Sequence, residues 1–210
     1  IDQIASSTTL QGLQQGDIIF REGDEGDTFY AVISGRVKIF KSSPEGKEQI
    51  LHVFGTGEMI GEVAVFTSGS FPASAEGIVE GVVLRTPRDV LLSMVRKNPD
   101  LAFRMLATLS KRLHRFASLI EDLSLREVPA RLTAYLLGLR PVERGEKPVV
   151  ELEIPKGQLA SLLGTIPETL SRIFGRLAKE GLLETVGARQ VRLLDLDALE
   201  EVASGDRRLR

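Results

Sequence analysis

Glu168, Ser171 and Arg172 are the residues whose types and spacing offer the most definite chemistry. On a helix, separations of three and one residue bring them to one face near the start. A glutamate there accepts from cytosine N4, and an arginine donates a two-pronged bond to guanine O6 and N7. Ser171 adds a polar contact and Thr169 reaches for a phosphate, with Arg176 one turn on and Arg189 further along as additional cations. Leu170, Ile173 and Leu177 fall on the opposite face and pack inward. Pro167 suits the first helical position, where its missing N–H is not needed. The preceding stretch from Lys156 to Leu163 reads as a second short helix, and Gly164 supplies the turn between the two. Such a helix-turn-helix places its second helix in the major groove of DNA. The alternative is a solvated helix face that happens to be charged; in the absence of DNA, Glu168 and Arg172 can also pair with each other at i, i+4.

Charge along the chain follows the same division. The 210 residues carry 27 basic and 29 acidic groups, a net charge of −2. Residues 1–127 hold 14 basic and 17 acidic groups, giving −3, whereas residues 154–193 hold six and three, giving +3. Positive charge thus gathers where phosphate neutralisation requires it. There is no Cys, so disulfides, thiolate metal sites and cysteine-held iron–sulfur clusters are excluded. No nucleophile–His–acid set, phosphate-cradling loop or ligand cluster points to an enzyme. Glu58 and Glu62 could be imagined as an acid–base pair, but Glu62 is better read as an acceptor for backbone amides. No apolar run approaches the ~18 residues that span a bilayer, so a cytoplasmic protein without membrane partners is expected. The chain begins at Ile1 rather than Met, and natural residues are expected before it.

Three segments must position these groups. From about Leu13 to Val90, Gly-bearing turns (Gly16-Asp17, Gly23-Asp24, Ser34-Gly35, Gly55-Thr56-Gly57) separate strand-like runs at Thr28–Ile33, Val37–Lys41, Gln49–Phe54 and Gly77–Thr86. Many short strands at that spacing predict an antiparallel barrel or jelly roll. A long helix follows from about Pro99 to Glu127, with apolar residues at Ala102, Leu106, Leu109, Leu113, Phe116, Ile120 and Leu123. Alternating steps of four and three are a heptad, so a parallel homodimer seam is expected. A helix lying on the barrel is the other reading, and both can hold. Val128-Pro129 ends this helix and makes a hinge, because a residue before proline resists helical geometry. Beyond it come a helix at Arg131–Leu139, a strand at Val150–Ile154, the helix-turn-helix, a hairpin wing at Leu182–Leu193 with its turn at Gly187-Ala188, and a closing helix at Asp195–Val202. Domains are expected at 1–98 (sensing roll), 99–128 (dimer helix and hinge) and 129–210 (winged helix-turn-helix), an α+β chain.

The pattern Gly16-Asp17-x-x-Phe20-x-x-Gly23-Asp24, with Phe29-Tyr30-x-x-x-Ser34-Gly35-x-Val37, resembles the β-roll of cyclic-nucleotide-binding domains. With the helix-turn-helix it resembles the cyclic-AMP receptor protein/FNR superfamily of bacterial transcription factors. That resemblance implies an effector-gated homodimer on a palindromic operator, with double-stranded DNA and RNA polymerase as partners. Glu168-x-x-Ser171-Arg172 is similar to the FNR branch and implies half-sites like TTGA, read at the G·C pair by Glu168 and Arg172. Related sequences often carry a capping Ser or Thr where this chain has Ile166; Thr165 is the candidate substitute.

The same resemblance places an effector pocket at Gly61, Glu62, Val63, Ala64, Phe71, Ala73, Ser74, Leu113, Phe116 and Ala117. The family's phosphate-binding cassette opens Gly-Glu, as Gly61-Glu62 does, and ends with an arginine about ten residues later. Here the end reads Ser70-Phe71-Pro72-Ala73-Ser74-Ala75, without arginine. A buried phosphate lacking its countercharge costs several kcal/mol, so cyclic AMP is not expected as effector. Phe116 and Ala117 stand where the nucleotide-binding branch has hydroxyls, which agrees. Phe71–Ala75 and the helix Leu106–Leu125 look most like the Dnr/HcpR branch, implying nitric oxide sensing through heme. Only His52 and His114 could serve as imidazole ligands, and each is better read as an ordinary histidine, so the cofactor is left unassigned. A small organic effector and constitutive binding stay open. So does a nucleotide-sensing regulatory subunit whose C-terminal part contacts protein.

Overall fold

A computed structural model describes residues 8–67, 69–143 and 147–209. The expectation about residues before Ile1 lies outside them. The chain forms two compact units, residues 1–116 and 117–210.

In the first unit the strands are β1 (Thr9–Leu13), β2 (Ile18–Phe20), β3 (Thr28–Ser42), β4 (Glu48–Phe54), β5 (Met59–Ile60) and, after helix α1 (Glu62–Thr67), β6 (Ser74–Pro87). All pairings are antiparallel, in the order β1-β6-β3-β4. Two long strands make this a roll. β6 takes β2 at its start and β1 later, while β3 takes β5 near Tyr30 and β4 beyond Val37. Alternation along β6 sends Ala75 and Val83 inward, and register shifts in β3 bring Val32 and Val37, five apart, to the same side, where all four pack with Leu13, Phe20, Phe54 and Ile60. Each such burial contributes roughly 1.5–3 kcal/mol for a Val, Leu, Ile or Phe side chain.

The runs expected at Thr28–Ile33 and Val37–Lys41 are one strand, not two, so the turn expected at Ser34-Gly35 is corrected. The chain passes through it as a bulge, with register shifts between Val32 and Val37. Gly35 is at φ +82°, and a Cβ there would lie 2.6 Å from the Val79 carbonyl oxygen. Opposite it, a Cβ on Gly81 would lie 2.1 Å from the Ser34 oxygen. Two glycines therefore allow two backbones to cross closely while the strand bends. Lys38, 2 % exposed, bridges Glu48 at 2.6 Å and Glu76 at 3.3 Å, tying β4 and β6 to β3.

Helix α2 (Arg88–Lys97) leads into α3 (Pro99–Leu125), which spans 27 residues. Met105 packs with Phe29, Val65 and Leu91 in a second apolar cluster. In the second unit α4 (Val128–Gly138) is followed by β7 (Pro141–Glu143), β8 (Val149–Glu151), α5 (Lys156–Leu162), α6 (Pro167–Lys179), β9 (Leu183–Thr185), β10 (Gln190–Leu193) and α7 (Leu196–Ser204). The strands order as β7-β8-β10-β9, all antiparallel. Leu132, Leu136, Leu159, Leu170, Leu177 and Leu199 are almost wholly buried and form its apolar interior. Pro129 does not merely stop α3. The helix ends at Leu125, and Pro129 stands in the first turn of α4, where its fixed φ is useful. Asp195, expected inside the closing helix, caps it instead by accepting from the Ala198 amide at 3.0 Å.

Candidate effector pocket and nucleic-acid interface

The reading helix α6 buries Leu170, Ile173, Phe174 and Leu177, a period near 3.6, and leaves Glu168, Ser171, Arg172 and Arg176 exposed on its other side. Gly164, at φ +66°, turns the chain between α5 and α6. The Thr165 amide closes that turn by donating to the Ala160 carbonyl at 2.9 Å. Ile166 is the N-cap and no side chain caps the helix, so Thr165 does not fill the capping role foreseen for it. That leaves the first amides of α6 directed outward beside Pro167. Arg172 Nη2 donates to Thr169 Oγ1 at 3.1 Å rather than pairing with Glu168. Arg176 Nη2 donates to the Leu209 carbonyl. In the wing, Arg189 donates through Nε and Nη2 to the Leu152 carbonyl at 2.9 and 2.7 Å, and Arg192 pairs with Glu184 at 3.0 Å. Arg189 thus fastens the wing to the chain after β8.

In the roll, a cavity of about 520 Å3 opens between β4, the start of α1, the segment before β6, and α3. Of the anticipated pocket residues, Gly61, Glu62, Val63, Ala64, Phe71, Ala73, Leu113 and Phe116 line it. Ser74 is not among them, and its hydroxyl accepts from the Glu22 amide at 3.0 Å. Ala117, at the start of the second unit, is exposed and likewise absent from the lining. Phe71 is nearly fully buried and stacks on Phe20, with ring centroids 3.8 Å apart. Gly61, at φ +87°, makes room for that ring, since a Cβ there would stand 3.2 Å from it.

The charges in the wall are Glu62 against Arg112, each 9 % exposed, and Lys41, which pairs with Glu22 at 2.5 Å. Glu62 was expected to accept backbone amides; its carboxylate instead accepts from Arg112 Nη1. Arg112 also donates Nη2 to the Met59 carbonyl and lays its guanidinium over the Phe54 ring at 4.6 Å. Its Nε is buried without an acceptor. Sequence reasoning missed Arg112. The heptad drew attention to one face of α3, whereas Met105 and Arg112, seven apart, mark another that faces the roll.

His52, Glu58 and Arg115 form a small polar group in the same unit. Arg115 Nη1 lies 3.2 Å from His52 Nε2 and 3.7 Å from Glu58 Oε1. His52 Nε2 is 3.9 Å from Glu58 Oε1, a charge contact longer than a hydrogen bond. The neighbouring imidazole, with the Gly55 amide and Arg115, holds the Glu58 carboxyl down to about 2 from its usual 4.5, against the opposing effect of burial. A carboxyl held low in the folded state stabilises it above the unfolded pKa, and that contribution is lost as pH falls through the folded value. Glu58→Gln is therefore expected to flatten the acid limb of the stability curve between about pH 4.5 and 2. Because Glu58 is 36 % exposed, the difference from wild type stays below about 1 kcal/mol, read from thermal melts at stepped pH. His114 is exposed on α3, and neither histidine lines the cavity. Among the described residues no cluster of three or more His, Asp or Glu could hold a metal ion. Nor is any helix among them long and apolar enough to cross a membrane.

Along α3, Leu106, Leu113, Phe116 and Ile120 of the heptad are exposed, Leu113 by 71 %, while Ala102, Leu109 and Leu123 are half-buried.

A β-roll enclosing an apolar cavity, followed in the chain by a long helix and a winged helix-turn-helix, defines an effector-responsive DNA-binding regulator. Residues 10–98 match the cyclic nucleotide-binding domain family, and residues 130–202 the Crp-like helix-turn-helix domain. The cyclic AMP receptor protein of Thermus thermophilus is 34% identical over 191 residues, covering 91% of this chain and 86% of that protein. The fumarate and nitrate reduction regulatory protein of Escherichia coli is 30% identical over 198 residues, covering 93% and 78%. A solved CRP/FNR-family transcriptional regulator from Thermus thermophilus superposes with a TM-score of 0.73 at 27% identity, covering 93% of this chain and 98% of that one. The chain belongs to the CRP/FNR family of transcriptional regulators, which bind DNA and act as dimers.

Proposed function

We propose that this regulator works as a parallel homodimer reading inverted TTGA-like half-sites, gated by a small, mainly apolar organic effector. In this reading residues 1–98 form the input, 99–128 the dimer helix and hinge, and 129–210 the output. The observation that carries it is the exposed Glu168, Ser171 and Arg172 on the outer side of a helix whose inner side is wholly apolar. A carboxylate and a guanidinium unpaired with each other, one turn apart, match the donor and acceptor edges of a G·C pair. Effector occupancy shifts how the roll holds α3, and so the separation of two reading helices, which must approach one duplex turn of ~34 Å.

Two features support an apolar effector over a cyclic nucleotide. The cassette end from Ser70 to Ala75 contributes no cation, and Phe71 packs over its opening at Gly61. Of the cations elsewhere in the wall, Arg112 is already balanced by Glu62 and Lys41 by Glu22. Heme does not fit the described residues either, because no imidazole reaches the cavity and His52 Nε2 lies against Arg115.

Arg172→Ala is expected to cost roughly 1–3 kcal/mol and relax the preference for G at one half-site position. Competition between TTGA and singly substituted half-sites measures this. Selectivity unchanged from wild type would overturn the assignment of Arg172 to the base edge.

A further inference from the structure

The second unit has more cationic surface beside α6 than base reading requires. One shallow concavity is bordered by Arg126, Arg131, Thr169, Arg172 and Arg176, with Glu127 the one acid. A second, sharing Arg126 and Glu127, is bordered by Arg207 and Arg208 of the C-terminal tail. The tail is fixed there, since the Leu209 carbonyl accepts from Arg176 and Arg207 pairs with Glu180 at 3.5 Å. Not every arginine is available. Arg131 is turned to main-chain carbonyls, and Arg207 to its glutamate.

Arg126 and Arg208 differ from these. Arg126 is exposed and, among the described residues, its side chain meets only Asp122, at 3.2 Å on the surface, a type of pair worth about 0–1 kcal/mol that a phosphate readily replaces. Arg208 is exposed and makes no ion pair among the described residues. Arg172, at the near end, is engaged by the Thr169 hydroxyl, which does not neutralise its charge. Cations thus continue from the reading helix across the α3–α4 turn to the tail.

We propose that Arg126 and Arg208 extend the reading helix into a track for the DNA sugar-phosphate backbone, so that the C-terminal tail is part of the nucleic-acid interface. This rests on the DNA reading above and adds contacts that carry no sequence information. Each phosphate neutralised on duplex DNA contributes about 0.9 to the slope of log K against log salt concentration.

The test uses the full chain on a duplex with two inverted TTGA half-sites, and on a duplex of unrelated sequence, titrated across salt concentrations. Arg126→Gln and Arg208→Gln are each expected to reduce the slope by about 0.9 on both duplexes, leaving half-site preference and the melting curve as in wild type. Arg126→Lys, which keeps the charge, retains the slope. A wild-type slope in either glutamine variant would overturn the track while leaving the base reading intact. Wild-type protein that is not retained on either duplex at any salt concentration would overturn both. Altered half-site preference in Arg126→Gln would place that side chain at a base edge and overturn its backbone role.

Discussion

Glu62→Ala lowers the stability of the roll by about 3–5 kcal/mol, because it strands the Arg112 guanidinium in a site where both partners are 9 % exposed. Against a typical total of ~5–15 kcal/mol, that is a large fraction. What remains for Arg112 is one carbonyl, at Met59, and the face of Phe54. Even with the pair intact, Arg112 Nε is buried without an acceptor, which costs stability. The double variant Glu62→Leu, Arg112→Met is therefore expected to recover most of the loss, or to exceed wild type, as buried pairs replaced by packed apolar groups often do. Urea unfolding in a Tyr135→Phe background reports on the roll through Tyr30, the other of the chain's two tyrosines, with no Trp to mask it. If Glu62→Ala costs less than about 1 kcal/mol, the site is wetter than its burial indicates and the pair carries little.

Leu113→Asp separates the protomers and abolishes tight operator binding in a single step. Leu113 is 71 % exposed in the protomer, and Leu106 and Ile120, seven residues to either side, are exposed with it. A row of large apolar side chains at heptad spacing has a counterpart in an identical helix, and two-fold symmetry places any substitution in the seam twice. Two aspartates there lose the apolar burial and repel. Half-sites then bind one at a time, losing the roughly 10²–10⁴-fold avidity that joined heads provide. Sedimentation gives the mass, and anisotropy with a labelled palindrome gives the affinity. A monomeric variant that still bound the full palindrome as tightly as wild type would sink the seam and the two-headed reading together.

The output half was the more legible because its signals are local. Pro167, Gly164 and the apolar spacing Leu170, Ile173, Leu177 act within a few residues, and α5, α6 and the hairpin lie close to where the sequence puts them. The roll was legible as a class but not in detail. A glycine at positive φ serves a turn and a bulge equally, so Ser34-Gly35 reads as a chain reversal although β3 continues through it. Arg112 was hidden for a different reason. A charged residue on a surface-type helix is read as solvated, and its partner Glu62 is 50 residues away. The pattern could have exposed it, since Met105 and Arg112 keep a heptad of their own beside the one ending at Leu123. Arg189 shows the converse: its wing position suggests a phosphate, but the Leu152 carbonyl that it meets belongs to no sequence motif.

Arg131 donates through Nη1 to the carbonyls of Asp122, Leu123 and Arg126, at 3.2, 3.4 and 3.0 Å. They lie at and just past the end of α3: the Asp122 carbonyl also accepts from the Arg126 amide at 3.1 Å, and Arg126 follows the last helical residue, Leu125. Because they are main chain, no exchange of side chains at residues 122–126 deletes these acceptors. Only unwinding the turn dissolves the joint. The connection thus senses whether the end of the helix is wound, whatever amino acids wind it.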